Sequence, residues 1–341
     1  MQQSLAGRAA RSARDSTLPT RGHNIGRTLI GPRIMTTAFI THPDCLLHDM
    51  GAMHPECPAR LRAIDDQLIA SGLSNFLVHA DAPLAHADQL ARVHDAGYIE
   101  AIEGASPRTG AIHLDPDTVM CPDTLVAARR AAGAAVQATD MVMNGEVQSA
   151  FCSVRPPGHH AERGRAMGFC IFNNVAVAAA HALDHYGLER VAIADFDVHH
   201  GNGTEEIFRD DGRVLMVSTF QHPFYPYSGI DGYSEHMVNI PLAAYSGGDK
   251  FRAAVTAHWL PALERFSPQM IFISAGFDAH RDDEMAMMRL VEADYAWVTQ
   301  QLMAVAAKHA QGRIVSLLEG GYELHALGRS VAAHLKVLGE F

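Results

Sequence analysis

The chain has 341 residues, 48% of them hydrophobic, and a formal net charge of −11. That is enough apolar material for a large core, with no apolar run long enough to span a membrane. The acidic balance argues against nucleic-acid backbones as primary ligands and agrees with a cationic substrate.

Residues 1–34 carry six arginines, one acidic residue (Asp15) and little apolar periodicity. They read as a disordered basic arm, or as an extension upstream of a start at Met35, with the composition of an organellar transit peptide. Residues 35–341 read as one domain. Short apolar runs predict strands over Thr37–Thr41, Ser149–Val154, Arg190–Ala194, Val214–Thr219, Met270–Ala275 and Arg313–Leu318. Between them, helical periodicity covers Pro58–Ser71, Thr124–Asn144, Asn173–Tyr186, Asp249–Phe266 and Glu292–Ala310. Asp123 is placed to cap one helix, and Gly145, Gly187 and Gly312 follow others. Strands apolar on both faces and separated by helices imply an α/β fold with a parallel sheet covered on both sides. The five cysteines (Cys45, Cys57, Cys121, Cys152, Cys170) form no Cys-x-x-Cys pair, which fits a reducing, cytoplasmic setting. Cys152 and Cys170 read as small buried hydrophobes rather than nucleophiles.

The polar clusters follow a spatial rule. Arg155-Pro156-Pro157-Gly158-His159-His160, Asp195 to His200, Asp278-Ala279-His280 and Glu319-Gly320-Gly321-Tyr322 each come after a predicted strand. In open parallel sheets, ligands bind beyond the carboxyl ends of the strands. Asp197 and His199 alternate along an extended segment and so project together, giving half a zinc site. Asp278 completes a three-ligand set of the catalytic type, with a position left for water and substrate. The tandem His159-His160 supplies a general base after a rigid turn. Tyr322, after two glycines, supplies a phenolic donor for an oxyanion. Together these parts describe metal-assisted hydrolysis of an amide or ester. Taken singly, each has a plainer reading: a strand-end turn for Asp197-Val198-His199, a surface pair for the histidines, a core residue for Tyr322. His200 reads as structural, and His280 with Asp282 as a solvated loop. Asn202 could cap a short helix through Phe208.

The strings RPPGHHAERGRAMGFCIFNN, ADFDVHHGNGTEEIF, SAGFDAH and LEGGY, with HPDCLLHDMGAMHPECPARL near the start, resemble the zinc-dependent histone deacetylase family. That superfamily includes acetylpolyamine amidohydrolases and bacterial histone-deacetylase-like amidohydrolases, and RPPGHH and LEGGY point to its class II branch. The resemblance implies the arginase–deacetylase fold, a single domain with an eight-stranded parallel sheet flanked by helices. It implies one catalytic Zn2+ on Asp197, His199 and Asp278, His160 as general base and acid, His159 as its electrostatic partner, and Tyr322 as oxyanion donor. It implies that Asp195 orients His159 and helps hold a structural K+ near Ser218-Thr219. Gly168, Phe169, Phe224 and Tyr225 would wall a substrate tunnel, with Met285 at its gate. Asn202 would support His160 where class I members carry aspartate. The segment holding His42, His48 and His54 becomes a rim or oligomer contact, which allows a homo-oligomer.

The activity expected is removal of acetyl or another short acyl group from acylated lysine side chains. An acetylpolyamine or another small acylated amine is the alternative substrate, and neither nucleic acid nor membrane is expected as a partner. A binuclear manganese hydrolase would need further bridging carboxylates, and a non-catalytic acyl-group binder would be expected to lack a ligand, a histidine or the tyrosine.

Overall fold

The computed structural model describes residues 36–230 and 234–341; the basic arm expected over residues 1–34 lies outside them. Val-, Ile- and Phe-rich runs form β1 (Thr37–Thr41), β2 (Leu77–Asp81), β5 (Ser149–Cys152), β6 (Val191–Asp195), β7 (Val214–Gln221), β8 (Met237–Leu242), β9 (Met270–Ala275) and β10 (Ile314–Leu318). A two-stranded antiparallel hairpin, β3 (Ile112–His113) and β4 (Val119–Met120), stands apart. The eight strands make one parallel sheet in the order β2-β1-β5-β10-β9-β6-β7-β8. All six expected strands are present. Every residue of β5, β6, β7, β9 and β10 is buried, so both faces of the central sheet are covered.

The covering helices use small residues for close approach. Helix Thr124–Met143 buries Ala128, Ala131, Ala132 and Ala135, and packs on helix Asn174–Asp184, which is buried from Asn174 to Leu183. Helices Ala59–Ala70, Leu324–Leu338 and Glu292–His309 pack on one another in that order. Large side chains such as Phe151, Phe272 and Trp259 are fully enclosed; truncating one to alanine costs about 3–5 kcal/mol.

Two local expectations need correction. The helix expected over Asp249–Phe266 is interrupted: Gly248–Ala254 is α-helical, Val255–Trp259 makes a π turn, and Leu260–Phe266 resumes. Pro261 has no N–H for the carbonyl four residues back and its ring crowds that position, which accounts for the widened turn. Asp123 occupies the capping position but makes no side-chain cap; instead Thr124 Oγ1 accepts the Cys121 N–H (2.9 Å).

The register aligns Cys152, Leu317, Ser274, Asp195 and Ser218 in one row across β5, β10, β9, β6 and β7. The four polar clusters follow β5, β10, β9 and β6, which are neighbours in the sheet. Parallel pairing therefore delivers all four to one edge.

Candidate active site

Past β6 the chain makes tight carboxylate turns. Asp195 Oδ1 accepts the Asp197 N–H (3.0 Å), and Asp197 Oδ1 accepts the His199 N–H (2.8 Å). Asp278 Oδ1, from the loop after β9, accepts the Val198 N–H (2.9 Å). These bonds bring one ligand atom each from Asp197, His199 and Asp278 within 4.8 Å of one another, all three residues buried. His199 Nδ1 lies 3.0 Å from Asp197 Oδ1 and 3.2 Å from Asp278 Oδ2.

Two glycines permit this crowding. A Cβ on Gly276 would sit 2.0 Å from Asp197 Oδ2, and one on Gly320 would sit 2.0 Å from Asp278 Oδ2. The Gly320 N–H, so placed, donates to Asp197 Oδ2 (2.8 Å).

The electrostatics call for a cation. Burial opposes charge on His199, but the Asp197 and Asp278 carboxylates outweigh it and raise its pKa to about 10. Burial, then repulsion from Asp197, pushes Asp278 up to about 6. Asp278 Oδ2 is buried and has no hydrogen-bond partner among the described residues. Two carboxylates and one imidazole with an unsatisfied inward oxygen fit a divalent metal that takes mixed N and O ligands.

The histidine pair is held from behind. Glu319 Oε2 accepts the N–H of Gly158 (2.7 Å) and of His159 (3.1 Å), while Ser274 Oγ donates to Oε1 (3.1 Å). His159 Nδ1 meets Asp195 Oδ2 at 2.9 Å, and His160 Nδ1 meets Asn202 Oδ1 at 2.8 Å. The Asn202 amide nitrogen donates to Glu162 Oε1 (2.9 Å), which fixes its oxygen toward His160. His160 therefore carries its proton on Nδ1 and leaves Nε2 free.

The two imidazoles, with centroids 4.0 Å apart, do not share one charge state. Burial disfavours the imidazolium of His159, but Asp197 and Asp195 prevail and raise its pKa to about 10. For His160, burial and then the positive charges of His159 and His199 hold the pKa well below the ordinary value. Environments that split two titratable groups in this way mark distinct acid–base roles. Helix Asn202–Phe208 starts at Asn202, but Gly201 takes the capping position and the Asn202 side chain serves His160 instead.

A cavity of about 310 Å³ opens over the cluster, lined by Asp117, His160, Gly168, Phe169, His199, Phe224, Tyr225, Met285 and Tyr322. All five expected tunnel residues lie in its wall. Phe224 stacks on His199 (5.4 Å, 22°), and Phe169 meets the Tyr322 ring edge-on at 6.0 Å. Gly168 has to be glycine: its φ is +57°, and a Cβ would come within 2.4 Å of His160 Cδ2. Enclosure and the nearby Asp278 hold the Tyr322 phenol well above its ordinary pKa, so it remains an O–H donor.

A histone deacetylase domain model matches residues 54–338. The chain belongs to the histone deacetylase family. It is 39% identical over 312 residues to a histone deacetylase-like amidohydrolase of Pseudomonas aeruginosa, covering 84% of this chain and 81% of that one. It is 38% identical over 301 residues to a probable deacetylase of Archaeoglobus fulgidus, covering 85% and 82%. Polyamine deacetylase HDAC10 of Mus musculus is 38% identical over 331 residues, which span 89% of this chain and 48% of that protein. Among solved structures, the HDA15 HD domain superposes with a TM-score of 0.83 at 34% identity, over 90% of each chain.

In this histone deacetylase-family chain several residues around the site have partners that no local sequence pattern reveals. Glu56, Arg60 and Arg155 form a wholly buried ionic group. Glu56 Oε2 accepts from Arg155 Nη2 (2.6 Å), and Arg60 Nη1 lies 3.2 Å from Glu56 Oε1. Arg155 also donates to the carbonyls of Cys45 (2.9 Å) and His48 (3.0 Å), tying the amino-terminal loop beneath the site. Asp117 Oδ1 accepts the Gly168 N–H (3.2 Å) and Thr118 Oγ1 the Phe169 N–H (3.1 Å), so the hairpin sets that wall.

Of the loop histidines expected at a rim, only His54 fits, meeting Phe169 edge-on at 4.7 Å. His42 instead caps a short 3-10 turn. His48 is fully buried, with Nδ1 2.8 Å from Thr124 Oγ1 and Nε2 3.4 Å from the buried Glu56 carboxylate. His280 is also buried, since the bridge between His280 and Leu290 folds its loop inward, while Asp282 stays exposed. His200 is structural as expected, with Nδ1 2.8 Å from Ser228 Oγ. Cys152 and Cys170 are buried free thiols.

Proposed function

We propose that this chain is a zinc-dependent amide hydrolase that removes acetyl or another short acyl group from acylated lysine side chains. The observation that carries the reading is convergence. A neutral histidine with a free Nε2, a protonated phenol and a buried Asp-His-Asp set meet in one cavity walled by Phe169 and Phe224. Zinc held by Asp197, His199 and Asp278 would supply the Lewis acidity that polarises a carbonyl and acidifies water.

The remaining steps belong to side chains. His160 Nε2 takes the proton of the attacking water and passes it to the departing amine. His159, held charged by Asp197 and Asp195, keeps its neighbour neutral and ready to accept that proton. The Tyr322 O–H donates to the carbonyl oxygen as negative charge develops on it. The aromatic walls pack on the methylenes of a lysine stem and exclude bulk water. For the structural K+, support comes from Ser218, whose buried Oγ has no hydrogen-bond partner among the described residues and which pairs in register with Asp195.

Met285 in the cavity wall, an apolar residue where an acid would attract a second ammonium, favours lysine over polyamine. The second reading, an acetylpolyamine, has the Asp117 carboxylate on the same cavity in its favour. A reducing, cytoplasmic setting agrees with five free cysteines, and no helix among the described residues is long and apolar enough to cross a membrane.

The test is hydrolysis of an acetyl-lysine peptide and an N-acetylated polyamine, side by side, by the zinc-loaded protein and by Tyr322→Phe. The peptide should turn over, and loss of the phenol should lower kcat by about 100- to 1,000-fold. Polyamine turnover with the peptide untouched would transfer the assignment to the second reading. Metal-loaded protein inert toward both would sink the hydrolytic one.

A further inference from the structure

Asp283 does not line the cavity, yet it joins two of its walls. It is buried, at 4% exposure, in the turn after Asp278. Its Oδ2 accepts the backbone N–H of Tyr322 (2.6 Å) and of Glu323 (3.0 Å), and its Oδ1 accepts the N–H of Met285 (3.0 Å). Tyr322 and Met285 both line the cavity. Three donors thus converge on one carboxylate, the side chain that only accepts.

The backbone leading into Tyr322 has little stiffness of its own. Gly320 and Gly321 precede it, the latter at φ +121°, and glycine restricts φ and ψ least of all residues. Something outside that turn has to fix where the phenol points. Arg60 grips the carbonyl side: its Nε donates to Gly321 O (2.6 Å), its Nη2 donates to Glu319 O, and its guanidinium lies 4.9 Å from the Tyr322 ring centroid. Asp283 grips the N–H side. The peptide unit before Tyr322 is therefore clamped between a buried anion and a buried cation, the unit after it is held by the anion, and such charge-assisted bonds exceed neutral ones in strength.

We propose that Asp283 is a positioning residue for the reaction: it sets the Tyr322 phenol and the Met285 wall in register without touching substrate. The inference rests on the assignment of Tyr322 as oxyanion donor made above. An asparagine at 283 has one acceptor oxygen and turns an NH2 group toward a backbone donor, so the clamp opens on one side. A catalytic group displaced by about 1 Å can cost on the order of 100-fold in rate. The loss falls on kcat, because the contact matters in the transition state more than in the ground state.

A double-mutant cycle over Asp283→Asn and Tyr322→Phe reads this directly. Asp283→Asn should lower kcat by about 10- to 100-fold with KM changed less than about 3-fold. In the Tyr322→Phe background the same change should lower kcat by less than about 2-fold, since the group it positions is already gone. Equal losses in both backgrounds would show that the effect bypasses the phenol and would overturn the proposal. Asp283→Glu, which keeps the carboxylate, should retain more kcat than Asp283→Asn; the reverse order counts against positioning.

A readout independent of turnover comes from 3-fluorotyrosine at position 322, which should give one narrow 19F resonance in the parent and a shifted or broadened one in Asp283→Asn. Identical spectra would overturn the proposal even if the chain acts on another acyl amine. An unaffected Tyr322→Phe enzyme is a separate result, overturning the oxyanion assignment itself.

Discussion

At the carboxyl edge of the sheet, Gly276 and Gly320 leave no room for a Cβ, which would meet a carboxylate oxygen at 2.0 Å. At the opposite edge Gly187, which ends helix Asn174–Asp184 at φ +66°, has no atom within 4 Å of where its Cβ would be. The groove at that opposite edge, about 550 Å³, is lined largely by apolar groups such as Met303, Ala307, Val337 and Leu338. The carboxyl edge instead buries Asp195, Asp197, Asp278, Glu319 and both tandem histidines. One end of the sheet asks only that the chain turn around and stay apolar. The other encloses ionised groups, which is unfavourable unless they are paired or bind metal. That concentration of cost at one edge marks it as functional, because local rules are broken where function requires it.

The contrast breaks most severely at the ligands. Asp278→Ala should remove the bound metal, measured by elemental analysis, and lower turnover by more than about 100-fold. Even the partners of ligands are typically worth 10- to 100-fold. Chelation should do the same to the parent, with zinc restoring activity. Next come the glycines. Gly320→Ala pushes Asp278 aside and should weaken metal binding by at least about 10-fold. Gly187→Ala should cost about 1–2 kcal/mol of stability for its left-handed backbone while leaving kcat and metal content unchanged. If both alanines altered metal binding alike, the distinction between the edges would fail.

What could be read in the sequence divides along a related line. The six strands found are largely apolar runs, and the candidate ligands follow two of them within a few residues, so local pattern carries both. The sheet-edge strands β2 and β8 are half-exposed, with mixed faces that give no such run. Helix Leu324–Leu338 does carry its period in Leu327, Val331, Leu335 and Leu338, but it starts directly behind the Gly-Gly-Tyr turn, where the chemistry of the motif masks it. The supports of the site are another matter. Arg155 and Glu56 are 99 residues apart, and Arg60 and Gly321 are 261 apart. A buried arginine looks like any other until the fold supplies its partner, so Glu56, Arg60 and the burial of His48 and His280 emerge only in three dimensions.

A smaller effect should separate the two substrates. Met285→Glu adds a second carboxylate to the cavity that Asp117 also lines, and the ratio of kcat/KM for acetylpolyamine over acetyl-lysine peptide should rise by about 10-fold. An unchanged ratio would remove Met285 as a determinant of selectivity.

The smallest change compares the two histidines themselves. His159 leans on a carboxylate, Asp195, and His160 on an amide, Asn202, although the two contacts are nearly equal in length at 2.9 and 2.8 Å. That chemical difference adds to the pull of Asp197, which favours charge on His159, and to the burial and positive neighbours that keep His160 neutral. Asn202→Asp should erase part of that difference. A carboxylate favours the imidazolium of His160 and raises its pKa from the depressed value that burial, His159 and His199 impose. With His160 as the proposed base, the neutral form is the active one, so activity on the acid side is lost as pH falls through that pKa. Raising the pKa therefore moves the acid limb of kcat/KM upward, by roughly 1 unit or more, and leaves the alkaline limb in place. A variant whose acid limb coincides with the parent's would show that His160 is not the group titrating there, and the division of roles between the two histidines would have to be redrawn.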